Sequence, residues 1–390
     1  MKHNFVIAIM IIAMAPLAGM GIDIYAPALP LLSETFHVSI LATGITMTIY
    51  LVGYAIGLAV AGPLSDSLGR VKVLNVCLAL YLVVTILIIF SPNISSFYVL
   101  RFLQGIAVAG PGVMCKVLIT DYFSKEQIPK MSANKSIAWA LGPVLAPFIG
   151  GFLTHHIGWE GSFIFLSIYA LGLIILSYVF LRESNPNYVP LNIKTILDNY
   201  TMVLRHGRFV SLTLGNSLCY SILVIFSVSG PFLIQRHMGY SAIAYGNSLL
   251  LLGFCYFIGT TCSRFLLKFY SLQKIAQFGT MLMGVGFVML IITAVFGIQS
   301  LVVILLCCGL GYLGLGLIFA NLMASCIQVF PKNAGTATAV MNSGFVLGAG
   351  IMSVLAGLLP ANSSLPLGIV FSVICGCVIL IIMKYRLDAS

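Results

Sequence analysis

Twelve apolar runs, each long enough to cross a bilayer and joined by short polar connections, leave this 390-residue chain few folds to choose from. A spanning helix needs about 20 apolar residues to cover the hydrocarbon core. The runs lie at roughly 5–26, 41–63, 73–91, 97–122, 133–154, 159–181, 209–235, 242–266, 275–297, 300–329, 334–359 and 365–384. Inside lipid, a single segment of that length satisfies its own N–H and C=O groups only as a helix. What lies between the runs is too short for a sizeable soluble domain. Charged residues make up 7% of the chain, where a soluble domain carries about a quarter. The expected fold class is therefore an all-α integral membrane protein with twelve transmembrane helices in two six-helix halves.

Charge sets the expected orientation. There are 19 Lys and Arg against 9 Asp and Glu, a formal charge of +10. With the N-terminus inside, sixteen of the cations, from Lys2 to Arg386, fall on cytoplasmic ends and loops. Arg236 alone falls outside, and Arg101 and Lys116 lie within the fourth run. That is the positive-inside distribution. Both termini are expected in the cytoplasm of a plasma (inner) membrane, with the lipid bilayer and no nucleic acid as partner. The ten cysteines lie within apolar runs without Cys-x-x-Cys spacing, which indicates neither a disulfide framework nor a metal site. The histidines are scattered or, at His155 and His156, in an outer loop, so no enzyme site and no cofactor is expected.

The longest connection, about 182–208, opens Arg182-Glu183-Ser184-Asn185-Pro186-Asn187 and then places Ile196, Leu197, Tyr200, Val203 and Leu204 at helical spacing. It reads as a linker with an amphipathic helix on the inner membrane surface. The domains are then an N-terminal half at 1–181, the linker at 182–208 and a C-terminal half at 209–390. Tyr50-Leu51-Val52-Gly53-Tyr54 matches Leu250-Leu251-Leu252-Gly253-Phe254, a weak sign of duplication. Beyond Glu183, the only later carboxylates are Asp198 and Asp388.

Ionisable groups within the runs are few, and such groups usually face a cavity or a partner. Asp23, late in the first run, and Arg101, early in the fourth, both lie towards the outer side and could pair. Asp23 is the candidate protonation site, against the alternatives of a static ion pair or an interfacial carboxylate. Lys116 either snorkels to the inner surface near Asp121 or lends positive charge to a substrate cavity. Tyr54, Trp139, Asn216, Tyr220, Asn321 and Asn342 either bond across helices or line that cavity. Gly142, Pro143, Pro147, Gly150 and Gly151 suggest a hinge in the fifth helix, and ordinary small-residue packing predicts the same sequence.

A polar knot interrupts the second and third runs: Gly62-Pro63-Leu64-Ser65-Asp66-Ser67-Leu68-Gly69-Arg70-Val71-Lys72. Its glycines predict a sharp turn, and Asp66 and Arg70 can pair if the helix runs through them. The knot resembles the Gly-x-Leu-x-Asp-x-x-Gly-Arg-x-Lys signature of the major facilitator superfamily. Arg101-Phe102-Leu103-Gln104-Gly105 resembles that family's Arg-x-x-x-Gly motif, and Leu141 to Gly151 its antiporter Gly-Pro…Gly-Gly motif. Asp23-Ile24-Tyr25-Ala26-Pro27-Ala28-Leu29-Pro30 is similar to the first-helix motif of Bcr/CflA-type drug:proton antiporters. The chain has Trp159-Glu160 and Thr120-Asp121 where that branch usually carries Trp-Arg or Trp-His and Arg-Asp. The resemblance implies proton coupling through Asp23 and Arg101, and a conformational latch of Gly62, Asp66, Gly69, Arg70 and Asp121. It also implies a proton-driven monomeric exporter of small amphiphilic molecules or drugs. The positive intramembrane balance suits an alternative substrate, an anionic metabolite such as a polycarboxylate siderophore.

Overall fold

A computed structural model of the chain describes residues 2–184, 188, 190–385 and 387. Arg386, Asp388 and the loop residues Asn185, Pro186 and Asn187 lie outside them. Among the described residues, twelve helices are long and apolar enough to cross a membrane. They are α1 (Phe5–Thr35), α2 (Ile40–Leu68), α3 (Arg70–Ile89), α4 (Ile94–Tyr122), α5 (Ile128–His156) and α6 (Glu160–Phe180), then α8 (Gly207–His237), α9 (Ala242–Leu266), α10 (Leu272–Val295), α11 (Leu301–Gln328), α12 (Ala334–Leu358) and α13 (Leu365–Lys384). Between the sixth and seventh spans runs α7 (Ile193–Leu204), where Val203 is buried and Ile193, Leu197, Met202 and Leu204 are exposed. Short connections suffice because side chains cap the helix starts. Ser39 and Ser241 accept the N–H of Ala42 and Ala244 at 3.2 and 3.1 Å, and Asn93 that of Ser96 at 2.9 Å.

Several spans are longer than their apolar runs, α1 and α2 among them. The first run ends at 26, but α1 continues to Thr35 in pieces: helix to Met14, helix Leu17–Asp23, a 3₁₀ turn Ala26–Ala28 and helix Leu29–Thr35. Pro27 and Pro30 fall at the starts of the last two pieces. There the missing N–H costs nothing, so the prolines break the ladder without ending the span. α2 likewise runs past 63, through Pro63, Ser65 and Asp66, to Leu68. α8 ends in a π-helical turn, Phe232–His237, directly after Pro231.

The helices form two compact units, Met1–Leu197 and Asp198–Ser390. In the first, α2 packs along α4, α3 against α4 and α6, and α1 against α5. In the second, α9 packs along α11, α10 against α11 and α13, and α8 against α12. The pairing is the same span for span. Glycine makes the two main crossings possible. A methyl group on Gly53 would overlap the Phe102 carbonyl, and one on Gly105 the Tyr50 carbonyl. In the second unit, one on Gly259 would overlap the Leu313 carbonyl, and one on Gly316 that of Tyr256. The repeat thus equates Gly53 with Gly259 and Tyr50 with Tyr256. This corrects the alignment with Leu250–Phe254, which is six residues out of step because apolar residues match one another in any register. Gly105→Val should wedge α2 from α4 and destabilise the first unit by roughly 1–3 kcal/mol, the usual cost of overpacking. A lowered thermal midpoint in detergent would register it.

Candidate functional site

Arg101 lies two turns into α4 and is completely buried. Its guanidinium cannot shed its charge, and water does not reach it, so neighbouring groups must take the place of solvent. They do so as a cage. Nη2 donates to the Gly21 carbonyl at 3.0 Å, and Nη1 donates to Gln104 Oε1. The rings of Tyr25 and Tyr50 stand 4.4 and 4.2 Å from the guanidinium carbon, within cation–π range. Each of those groups is itself held. Gln104 Nε2 donates to Thr85 Oγ1 at 2.8 Å, the Tyr50 hydroxyl donates to the Ala18 carbonyl at 3.0 Å, and the Tyr25 and Thr46 hydroxyls lie 2.9 Å apart. Asp23 closes the helical piece that carries Gly21 and is half-buried. The Tyr25 hydroxyl lies within electrostatic reach of both Asp23 and Arg101.

At one end of the first unit the polar knot becomes a charge cluster. Gly69 is the whole turn between α2 and α3, with a φ of +104° that favours glycine. Arg70 opens α3 and pairs through Nη1 with Asp121 in the last turn of α4, while Asp66 stands 3.9 Å from Nη2. Ser184 Oγ donates to Asp121 at 2.6 Å. The Glu183 carboxylate, distant in sequence, accepts the backbone N–H groups of Arg70, Val71 and Lys72 at 2.8, 3.2 and 3.4 Å. It caps α3 in place of the side chain that Gly69 lacks. A Cβ on Gly69 would come within 2.6 Å of Glu183 Oε2, so the turn and the cap both require glycine. Gly62 has open space around it and takes no part in this arrangement. Apart from Glu183 and Ser184, which it leaves in the linker, the sequence reading names the side chains of this cluster. The Glu183 carboxylate sits in a linker whose return to α3 no local pattern signals.

The remaining candidates separate by surroundings. Tyr54 is half-buried on α2 and directs its hydroxyl at Gly112 of α4, one turn from the exposed Lys116 on the same face. Lys135 of α5 is within electrostatic reach of Lys116, whereas Asp121 is engaged by Arg70 and Ser184. Trp139 is half-buried on α5. In the second unit, the buried Asn216 and Tyr220 share a face of α8, and Tyr220 packs edge-on against Phe345 with Phe319 completing an aromatic trio. The sequence reading missed both phenylalanines, which carry no polar mark. Asn342 is half-buried on α12. The Asn321 amide donates to Ser263 Oγ at 2.9 Å and to the Leu317 carbonyl at 2.8 Å, which ties α11 to α9. The small residues of α5 lie against α1: Gly142 faces Pro16, Pro143 faces Gly19, and Gly150 abuts the Ile24 carbonyl. Pro147 and Gly151 are buried in the same continuous helix.

A twelve-span protein of two six-helix units with an arginine buried among its helices is built to move a solute across a bilayer, not to transform one. Residues 11–353 match the model of the Major Facilitator Superfamily, and the chain belongs to that family of transporters. It is 25% identical to the bicyclomycin resistance protein homolog of Haemophilus influenzae, over 98% of this chain and 96% of that one. Chloramphenicol resistance protein CraA of Acinetobacter baumannii is 26% identical over 83% and 78%, and multidrug resistance protein D of Escherichia coli 22% over 95% and 93%. Among solved structures, a D-xylose-proton symporter shares the fold with a TM-score of 0.81 at 15% identity, covering 100% of both chains.

Two substitutions test the geometry. Glu183→Gln should weaken the cap on α3 by about 1 kcal/mol, read as a lowered thermal midpoint that salt also lowers in the parent protein. Arg101→Lys keeps the charge but loses the fork that holds Gly21 and Gln104 together. It should destabilise the first unit by about 3 kcal/mol, as breaking a buried charged network does.

Proposed function

We propose that this transporter is a proton-coupled exporter of small amphiphilic molecules, antibiotics among them. It works by alternating access as a monomer in the plasma membrane, with both termini cytoplasmic, and the proton gradient is its energy source in place of any cofactor. The observation that carries the coupling is the neutral cage around Arg101 beside Asp23. A guanidinium does not exchange its proton in such a role, which leaves the neighbouring Asp23 carboxylate to bind and release one. The cage meets Arg101 with a carbonyl, an amide and two aromatic faces, and leaves its Nε without an acceptor. Those contacts do not involve the Asp23 carboxylate, so they remain when Asp23 takes up a proton. The names of the relatives support antibiotics as the substrate class. Tyr54, Lys116 and Trp139 in one unit, and Asn216, Tyr220 and Asn342 in the other, supply aromatic faces and amides suited to amphiphiles. The charge cluster at Asp66, Arg70 and Asp121 acts as the conformational control, and the small residues of α5 as its pivot.

One observation favours the second reading, export or import of an anionic metabolite such as a polycarboxylate siderophore: Lys116 and Lys135 are two cations near one another. A susceptibility panel with chloramphenicol and bicyclomycin in a pump-deficient host separates the two. Broad resistance supports the drug reading, and a defect confined to iron-limited growth the other. Asp23→Asn should reduce ΔpH-driven flux in inverted vesicles by about tenfold or more while leaving expression unchanged. Undiminished flux in that variant would remove Asp23 from the mechanism.

A further inference from the structure

We propose that the turn between α9 and α10 holds the headgroup of an anionic phospholipid. The end of α9 and the start of α10 enclose a groove of about 370 Å³ lined by Leu266, Tyr270, Lys274, Ile275 and Phe278. Tyr270 and Phe278 are half exposed along it, at 54% and 52%. Lys274 lines the groove from the first turn of α10, and Arg264 and Lys268 lie two residues to either side of Leu266. Lys268 Nζ rests 5.7 Å over the Phe265 ring.

Three features point to a phosphodiester with an acyl tail. First, Lys274 sits at a helix N-terminus, where a cation opposes the macrodipole, so its charge does not serve the helix. Second, the sequence on both sides of this cluster is basic. Residues 199–387 hold nine Lys and Arg and no Asp or Glu. Third, the groove is apolar beside its one cation. Leu266, Ile275 and Phe278 suit acyl carbons, while Tyr270 is the amphipathic ring that membrane interfaces favour. An anionic phospholipid combines both chemistries, and juxtamembrane cations attract its headgroup.

The test uses the full-length protein in detergent, offered phosphatidylglycerol or phosphatidylcholine in mixed micelles, with retained lipid counted by native mass spectrometry. Phosphatidylglycerol should be retained in preference. Lys274→Gln should lower its retention about fivefold, as loss of one surface cation implies, and Phe278→Asn should lower it by a similar factor. Lys268→Gln repeats the measurement should Lys274→Gln express poorly. Arg236→Gln, far along the sequence on another helix, should change nothing. Equal retention of the two lipids would overturn the proposal. So would unchanged retention in both lysine variants, or an equal loss in Arg236→Gln.

Discussion

The buried charge of Arg101 constrains the first unit more than any other group. A guanidinium removed from water must find acceptors for its N–H groups and a counter-field for its charge, or the site does not form. No single helix offers enough of either. α1 brings Gly21 and Tyr25, α2 brings Tyr50, and α4 brings Gln104, which α3 steadies through Thr85. The helix crossing and the cage are one feature, because Gly105 lets α4 approach the Tyr50 carbonyl four residues from Arg101 itself. Beyond the cage, Phe163 packs 5.5 Å from Tyr25 and 5.6 Å from Phe97, with Trp159 at 5.9 Å from Phe97. This aromatic layer keeps water from competing for Arg101 and so strengthens each of its interactions.

The second charge cluster follows an opposite logic. Asp121 sits in the last turn of α4 and Arg70 in the first turn of α3, each at the helix end whose partial charge repels it. Neither placement helps its own helix. Each becomes tolerable because the other is there, and because Glu183 returns a negative charge to the start of α3. Separating such a pair exposes two misplaced charges at once, so the contact is favoured on both sides. Glu183 and Ser184 open the linker, so whatever displaces the linker also removes the cap from α3 and a partner from Asp121.

Most of this fold can be read from hydropathy because lipid imposes one rule on every residue of a span, and that rule leaves a mark about 20 residues long. Helix ends are legible where a serine or asparagine caps them, as at Ser39 and Asn93. They are not where proline sits at a tolerated position, and α1 therefore outruns its apolar run. The arrangement of side chains is legible where chemistry is conspicuous, in the buried Arg101 and the paired Arg70 and Asp121. It is not where neutral groups act by position. Gly21 contributes only a carbonyl, and Phe319 and Phe345 resemble every other apolar residue of a membrane helix. The internal repeat shows the same limit. Apolar letters suggested a register that the backbone contacts of Gly259 and Gly316 replace, because close approach is set by which residue lacks a side chain.

The distribution of carboxylates carries the argument one step further. Of nine Asp and Glu, only Asp198 and Asp388 lie in the second unit, one in α7 and the other in the tail. The spans α8 to α13 therefore contain no carboxylate. Proton uptake by a carboxylate within the membrane is confined to the first unit by composition alone. The buried groups singled out in the second unit are neutral, an amide at Asn216 and the rings of Tyr220, Phe319 and Phe345. On the reading proposed above, in which Asp23 carries the proton, the uncharged groups of the second unit share no carboxylate with it. A solute that touches those groups keeps the same contacts there whether Asp23 is protonated or not, so proton and solute act on one another only through a change of conformation.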